Sequence, residues 1–236
     1  ALVKSSLACY DAAMAFGSPF ISGKDSLNNE FITDEGVNIN IPNTLLITAM
    51  TLVDDVETCI TMDLKSPGNE LWIVGITHNE LGASHYYKTL GVLGANVPKV
   101  NLKTAPTIMA KISDAICHGL VRSCHDLSEG GLAVAASEMA FAGELGIHIN
   151  LKTVPVSDGV TTDEQILFSE SASRFLIEVT PDHVEALTKA LNGLTVSKIG
   201  NINSSGKVIF TNKEGQDVIS ATNDALKESW QAPLRW

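Results

Sequence analysis

The apolar positions change rhythm several times along the chain, and each change predicts an element. Between Lys4 and Phe16, Leu7, Ala8, Tyr10, Ala12, Ala13 and Met14 predict a helix buried over much of its surface. Gly17 ends it, and Ser18-Pro19 forces an extended exit into a short strand at Phe20-Ile21-Ser22. Residues 33–43 read as a polar hairpin that turns at Asp34-Glu35-Gly36. Thr44 to Val53 is β-branched and apolar on both faces, which predicts a buried central strand closed by a solvated Asp54-Asp55. Lys65-Ser66-Pro67-Gly68-Asn69 then breaks the pattern and marks a domain boundary, giving units of residues 1–63 and 64–236.

Beyond the break the pattern alternates. Glu70 to Ile76 reads as a strand, and a helix lies within residues 78–93. An amphipathic helix runs from Thr104 to His118 with Ile108, Ile112, Ala115 and Ile116 on one face. Gly119-Leu120-Val121 reads as a buried strand, and Leu132 to Ala142 as a helix apolar nearly all round. Ile147 to Leu151 alternates like a strand that turns His148 outward. A short helix starts at Thr162 with acids in its first turn, followed by a strand from Phe175 to Val179. Pro181 opens a helix that reaches Leu191. Strands at Val196 to Ile202 and Lys207 to Phe210 are joined by Ser204-Ser205-Gly206, and a last helix spans Gln216 to Trp230 before an irregular tail. Mixed alternation of this kind indicates an α/β fold, or α+β layers. There is no internal repeat.

Composition narrows the class. A chain of 236 residues that is 44% hydrophobic and 18% charged has ample material for a packed core. No apolar run approaches the roughly 20 residues of a membrane-spanning helix. The net charge of −11, without a basic cluster, argues against nucleic acid as the main partner, because phosphate backbones require Lys and Arg. Nucleotides need only one or two cations plus magnesium and are not excluded. Cys9, Cys59, Cys117 and Cys124 lie far apart with no C-x-x-C pair, and read as reduced, mostly buried thiols of a cytoplasmic protein. The start at Ala1 has no signal-peptide layout and reads as a cut or processed end.

Two stretches carry candidate chemistry. In Ser123-Cys124-His125-Asp126-Leu127-Ser128-Glu129-Gly130-Gly131-Leu132 a strand ends, two glycines turn the backbone and a helix begins. Free N–H groups at a helix start favour an anion. Asp126 stands where a carboxylate can hold a divalent cation against phosphate oxygens, and Ser128 can cap the helix or bond a phosphate. The same residues also describe a Ser-capped helix with a glycine turn and no ligand. Gly23-Lys24-Asp25-Ser26-Leu27-Asn28-Asn29 offers a cation, a carboxylate, a hydroxyl and unhindered backbone within four residues, a set that fits triphosphate plus magnesium; a solvated turn is the alternative. It is not a Walker A loop, since Gly17 lies one residue too far back and Asp25 follows Lys24. Glu170 and Arg174 could contact a ligand or each other. His78 and His85 lack a metal-spaced partner and read as surface or capping residues.

Phe20 to Phe31, His125 to Leu132, Met139 to Gly143, Phe168-Ser169-Glu170-Ser171 with Arg174-Phe175, and Ala225 to Trp230 together resemble the phosphoribosylformylglycinamidine synthase family, in particular the C-terminal part of its synthetase portion. The resemblance covers nearly the whole chain, with the motifs in the family's order. It implies an aminoimidazole-ribonucleotide-synthetase-like C-terminal domain over residues 64–236, preceded by a partial N-terminal-type domain over residues 1–63. It also implies an ATP-dependent ligase of purine biosynthesis that phosphorylates the amide oxygen of formylglycinamide ribonucleotide, so that ammonia from glutamine can displace phosphate. The implied cofactors are ATP or ADP and Mg2+. The implied partners are formylglycinamide ribonucleotide, the remainder of the synthetase and a glutaminase domain or subunit, with no nucleic acid or membrane. Gly23 and Lys24 would meet nucleotide and Ser26 substrate, with Asp25 as a candidate metal ligand. Lys24 stands where short-form members place a magnesium-binding asparagine, a role lysine cannot fill. In long-form members the aspartate matching Asp126 binds magnesium and the serine matching Ser128 binds an auxiliary nucleotide, with Gly130 and Gly131 forming the turn. His125 does not correspond to the family's catalytic histidine, which lies, like the glutaminase, in parts outside this chain. The chain is therefore expected to be a fragment that is inactive alone; the alternatives are a non-catalytic, structural nucleotide-binding half, or another member of the superfamily such as an aminoimidazole ribonucleotide synthetase.

Overall fold

The computed structural model describes residues 1–26 and 29–235; Leu27 and Asn28 of the Gly23 loop and the final Trp236 lie outside the described residues. Two compact units emerge, Ala1–Asp54 and Asp55–Trp236.

In the first unit, helix α1 spans Leu2–Phe16 and stops at Gly17, whose φ of 63° is the left-handed geometry that lets its N–H reach the Ala13 carbonyl. None of its residues is buried, contrary to the Ala-rich pattern's expectation. Strands β1 (Glu30–Ile32) and β2 (Asn38–Asn40) form a hairpin around the expected turn, its first strand lying before the expected residues 33–43, with Phe31 opposite Ile39 and the Gly36 N–H donating to the Thr33 carbonyl. Phe20–Ser22 and Thr44–Val53 form no strand, and Leu46 and Leu52 are about nine-tenths exposed. A strand needs a ladder partner and, when apolar on both faces, cover over both; β1–β2 is the only strand pairing among the unit's described residues.

The second unit holds strand β3 (Glu70–Val74), helices α2 (His85–Thr89) and α3 (Ala105–Cys117), strand β4 (Ser123–Asp126), helix α4 (Gly131–Gly143), strand β5 (Gly146–Asn150), helix α5 (Asp163–Phe168) and strand β6 (Phe175–Val179). Helix α6 (Val184–Ala190), strands β7 (Val196–Asn203), β8 (Lys207–Thr211) and β9 (Asp217–Thr222), and helix α7 (Asn223–Gln231) complete it. The seven strands of this unit make one sheet in the order β4-β6-β3-β7-β5-β8-β9, antiparallel throughout except for β5 beside β8.

The strand period of two distributes the core over both faces of this sheet. Leu71, Ile73 and Leu176 join one cluster with Leu132, Ala136 and Met139 of α4. Val74, Ile177 and Val179 join the other with Ile112 of α3 and Leu187 of α6. The mixed α/β layering anticipated from the alternation is thus present. Thr162 and Gln165 form a full capping box on α5.

Several boundaries differ from expectation. The last helix begins at Asn223, because Val218, Ile219 and Thr222 favour pairing with β8, and the Thr222 hydroxyl accepts the Ala225 N–H as the cap. Residues 78–93 give only five helical residues: Gly91 and Gly94 have positive φ, and so does Ala83 at 60°. Gly119 also turns left-handed, at φ 69°, so the strand after α3 starts at Ser123 instead of Gly119. Cys59 and Cys117 are exposed where burial was expected, and Cys9 and Cys124 are half-buried; burial pushes the Cys124 thiol up to about 12. Among the described residues no helix is long and apolar enough to cross a membrane.

The leading segment of the sheet is tied down by one side chain. Glu178 of β6 is fully buried and accepts the Lys65 N–H (2.8 Å), the Ser66 N–H (3.0 Å), the Asn69 side-chain amide (2.6 Å) and the Ser123 hydroxyl (3.0 Å). Leu64 lies across the end of α4, its N–H donating to the Met139 carbonyl. We expect Glu178→Leu, which strands these donors, to cost about 3 kcal/mol or more, and Glu178→Gln less, read as a lower urea midpoint at unchanged slope. A methyl built on Gly143 would stand 2.3 Å from the Leu64 carbonyl oxygen, so Gly143→Ala should cost about 1–3 kcal/mol in the same measurement.

Candidate functional site

Strand β4 lies at one edge of the sheet and delivers Asp126 as its last residue. Leu127 is buried and anchors the turn, while Ser128 and Glu129 remain at the surface. Gly130, the residue before α4, and Gly131, its first, have φ of 78° and 62°, so the backbone reverses as α4 begins, and the cap is Gly130 with no side-chain hydrogen bond instead of Ser128. Gly131 has a second reason to be glycine: a methyl there would stand 2.4 Å from the Ser169 carbonyl oxygen.

Asp126 is held by its neighbours. One carboxylate oxygen accepts the Ser128 hydroxyl, and the other lies 3.4 Å from Nδ1 of His125. The Ser128 hydrogen bond is the chief reason its carboxyl sits below the ordinary aspartate range, partly opposed by burial. Nε2 of His125 is 2.8 Å from a carboxylate oxygen of Glu138 on α4. These residues, with His85 and Gly130, line a cavity of about 450 Å3.

The N–H groups of the turn are bonded within the chain. The Gly130 N–H donates to Oε1 of Glu170 (2.8 Å), and the Gly131 N–H to the Ser128 carbonyl (3.1 Å). The same Glu170 oxygen accepts the His85 N–H at 2.9 Å, joining the start of α2 to the turn. Glu170 therefore meets backbone amides, and Arg174 does not pair with it directly. The Arg174 guanidinium is buried and donates to the Ser169 and Ser171 carbonyls and the Thr77 hydroxyl. Burial lowers it to about 10, against the pull of Glu80 and Glu170.

In the first unit, a methyl on Gly23 would meet no atom within 4 Å. The Lys24 ammonium donates to the Asp25 carbonyl (2.9 Å) and to the Ser26 hydroxyl, all at the surface.

Sequence reasoning did not single out Glu138 or the part played by His85. A signal for Glu138 existed: it is the only charged residue in α4, and a lone acid in an otherwise apolar helix is kept for a polar contact. Asp126 and Ser128 suit magnesium and phosphate as donor types, because magnesium takes one or two carboxylates and leaves its other positions to waters and phosphate oxygens. Among the described residues no group of three or more His, Cys, Asp or Glu forms a cage for a metal ion.

The family model described as "AIR synthase related protein, C-terminal domain" matches residues 66–213. The phosphoribosylformylglycinamidine synthase subunit PurL of Caldanaerobacter subterraneus subsp. tengcongensis is 34% identical over 228 residues, which is 95% of this chain and 29% of that protein. The chain thus spans under a third of the length of this curated relative. Among solved structures, Thermotoga maritima PurL complexed with FGAR superposes with a TM-score of 0.64 at 18% identity, over 72% of this chain and 30% of the other. PurL of the same organism complexed with ADP gives 0.61 at 19%, over 72% and 27%. The fold is shared with these structures. With a family match across most of β3 to β8 and a PurL relative along nearly its whole length, the chain belongs to the AIR synthase related family, in its C-terminal domain, and is a homologue of PurL.

Proposed function

We propose that the chain is the C-terminal part of the synthetase portion of a phosphoribosylformylglycinamidine synthase, the ATP-dependent ligase that converts formylglycinamide ribonucleotide, glutamine and ATP to formylglycinamidine ribonucleotide, ADP, phosphate and glutamate. In this reading residues 64–236 are its second C-terminal-type domain and residues 1–63 part of the preceding N-terminal-type domain. Its partners are the rest of the synthetase and a glutaminase domain or subunit. The relatives that support it carry that name, and PurL of T. maritima has been solved with FGAR, ADP and ATP.

One observation carries the local role. Asp126 and Ser128 stand together on a cavity wall at the end of β4, immediately before the glycine turn. We assign them a magnesium-bound nucleotide. The carboxylate supplies a metal ligand, and the Ser128 hydroxyl can turn from Asp126 toward a phosphate oxygen. Gly130 and Gly131 serve that site through shape, since their N–H groups already have partners inside the chain. A bound magnesium supplies charge neutralisation for the phosphates. In the first unit, Gly23, Lys24, Asp25 and Ser26 are proposed as a second ligand loop, with Lys24 acting as a cation instead of a metal ligand.

A rival reading makes this a retaining site, where the nucleotide holds the domain together without turning over. The internally bonded amides favour it, because they leave fewer groups to follow charge as it moves during phosphoryl transfer.

In the intact enzyme, we expect Asp126→Asn to release bound nucleotide from purified protein and Ser128→Ala to weaken its retention about tenfold, measured by chromatography of the denatured supernatant. Full retention in Asp126→Asn would overturn the assignment. Unchanged turnover per folded molecule after nucleotide loss would decide for the retaining role. A second check follows from the depressed Asp126 carboxyl. The stabilisation it draws from Ser128 is present above the ordinary carboxylate range and is lost as pH falls through the lower folded value. Ser128→Ala should raise the Asp126 midpoint toward the ordinary aspartate value in a carboxyl-carbon NMR titration.

A further inference from the structure

A carboxylate that receives a metal must be aimed before the metal arrives, and Asp126 is poorly suited to aim itself. Its side chain is 60% exposed at the end of an edge strand. Ser128, its nearest restraint, lies on the same turn and moves with it. The restraint from outside the turn comes through His125. That ring is largely buried, with Nδ1 facing Asp126 at 3.4 Å and Nε2 facing Glu138 at 2.8 Å. Glu138 is fixed in turn by α4, whose Leu132, Ala136 and Met139 are fully buried in the core. The chain of contacts therefore runs from a packed helix, through an imidazole, to the exposed carboxylate.

We propose that Glu138 is a positioning residue for the metal site: acting through His125, it sets the orientation in which Asp126 meets a divalent cation. This rests on the assignment of Asp126 as a metal ligand. It places a residue outside the turn, on α4, behind the imidazole that meets the ligand. Direct partners of a metal ligand commonly change metal affinity by about 10- to 100-fold when removed, and Glu138, one contact further out, is expected at the lower end of that range. A ring pinned at one nitrogen also holds the other at a fixed distance, and a Gln at position 138 would offer an amide in place of the carboxylate that pins it.

The test uses the intact enzyme, stripped of nucleotide, with Mn2+ as the probe and electron paramagnetic resonance as the readout of bound metal in the presence of ADP. Asp126→Asn should abolish the bound signal. Glu138→Gln should weaken Mn2+ binding about tenfold, with the melting temperature of the metal-free protein close to that of the parent. His125→Gln should give the same loss. Because Glu138 acts through the ring, the double variant His125→Gln/Glu138→Gln should be no weaker than either single one. Loss in Asp126→Asn with native affinity in Glu138→Gln would overturn the positioning role alone, whatever His125→Gln does. Losses that multiply in the double variant would also overturn it, since the two residues would then act separately. Native binding in Asp126→Asn would remove the metal ligand itself, and with it both readings. Should Glu138→Gln fold poorly, Glu138→Asp, which keeps the charge but draws the carboxylate back from the ring, takes its place in both the single and the double variant, with the same readings.

Discussion

Glu178 places a buried carboxylate among four donors, two of them backbone N–H groups from the segment just before β3. Such a group is tolerated inside a protein only when its lone pairs are satisfied, so the sheet and its leading segment are obliged to keep these positions. Ser123, one of the donors, starts β4, the strand that ends at Asp126. Through β6 the same carboxylate thus fixes both where the chain enters the sheet and where the edge strand that carries the candidate site begins. Leu64 against Gly143 and Gly131 against Ser169 then set the two ends of α4 by backbone contact, with no space for a side chain at either glycine.

Much of this arrangement could be read from the residues because it is local. Phe175 to Val179 was expected as a strand and is one with those bounds, since five apolar or buried positions between polar breaks leave little choice. The helix start read at Thr162 is where α5 begins, with Thr162 as its N-cap. Asp126 and Ser128, two residues apart, were legible as a pair for the same reason. What the sequence concealed are contacts between elements. Glu138 meets His125 across 13 residues and Glu170 meets Gly130 across 40, and no periodicity encodes either distance. The stretch from Asp217 to Thr222 was misread because a 3.6-residue and a two-residue period are hard to separate over six positions beside a true helix.

The first unit shows the opposite failure. Its apolar residues were read as buried because hydrophobic runs usually are, yet Ile21, Leu46, Met50 and Leu52 are more than four-fifths exposed. Strand propensity in Thr44 to Val53 is unmistakable, but propensity forms no ladder without a neighbouring strand. Local sequence and local environment disagree there, in contrast to the second unit, where pattern, capping and packing agree.

The carboxylate of Glu170 occupies the amide that a glycine turn ordinarily presents to a phosphate, and it also grips the start of α2. A guest entering the neighbouring hollow would therefore find the bend already frozen into shape by an anion that the protein carries with it. The entropy of arranging that backbone is settled during folding and not at the moment of encounter, which favours a tenant that stays over one that is exchanged at every cycle.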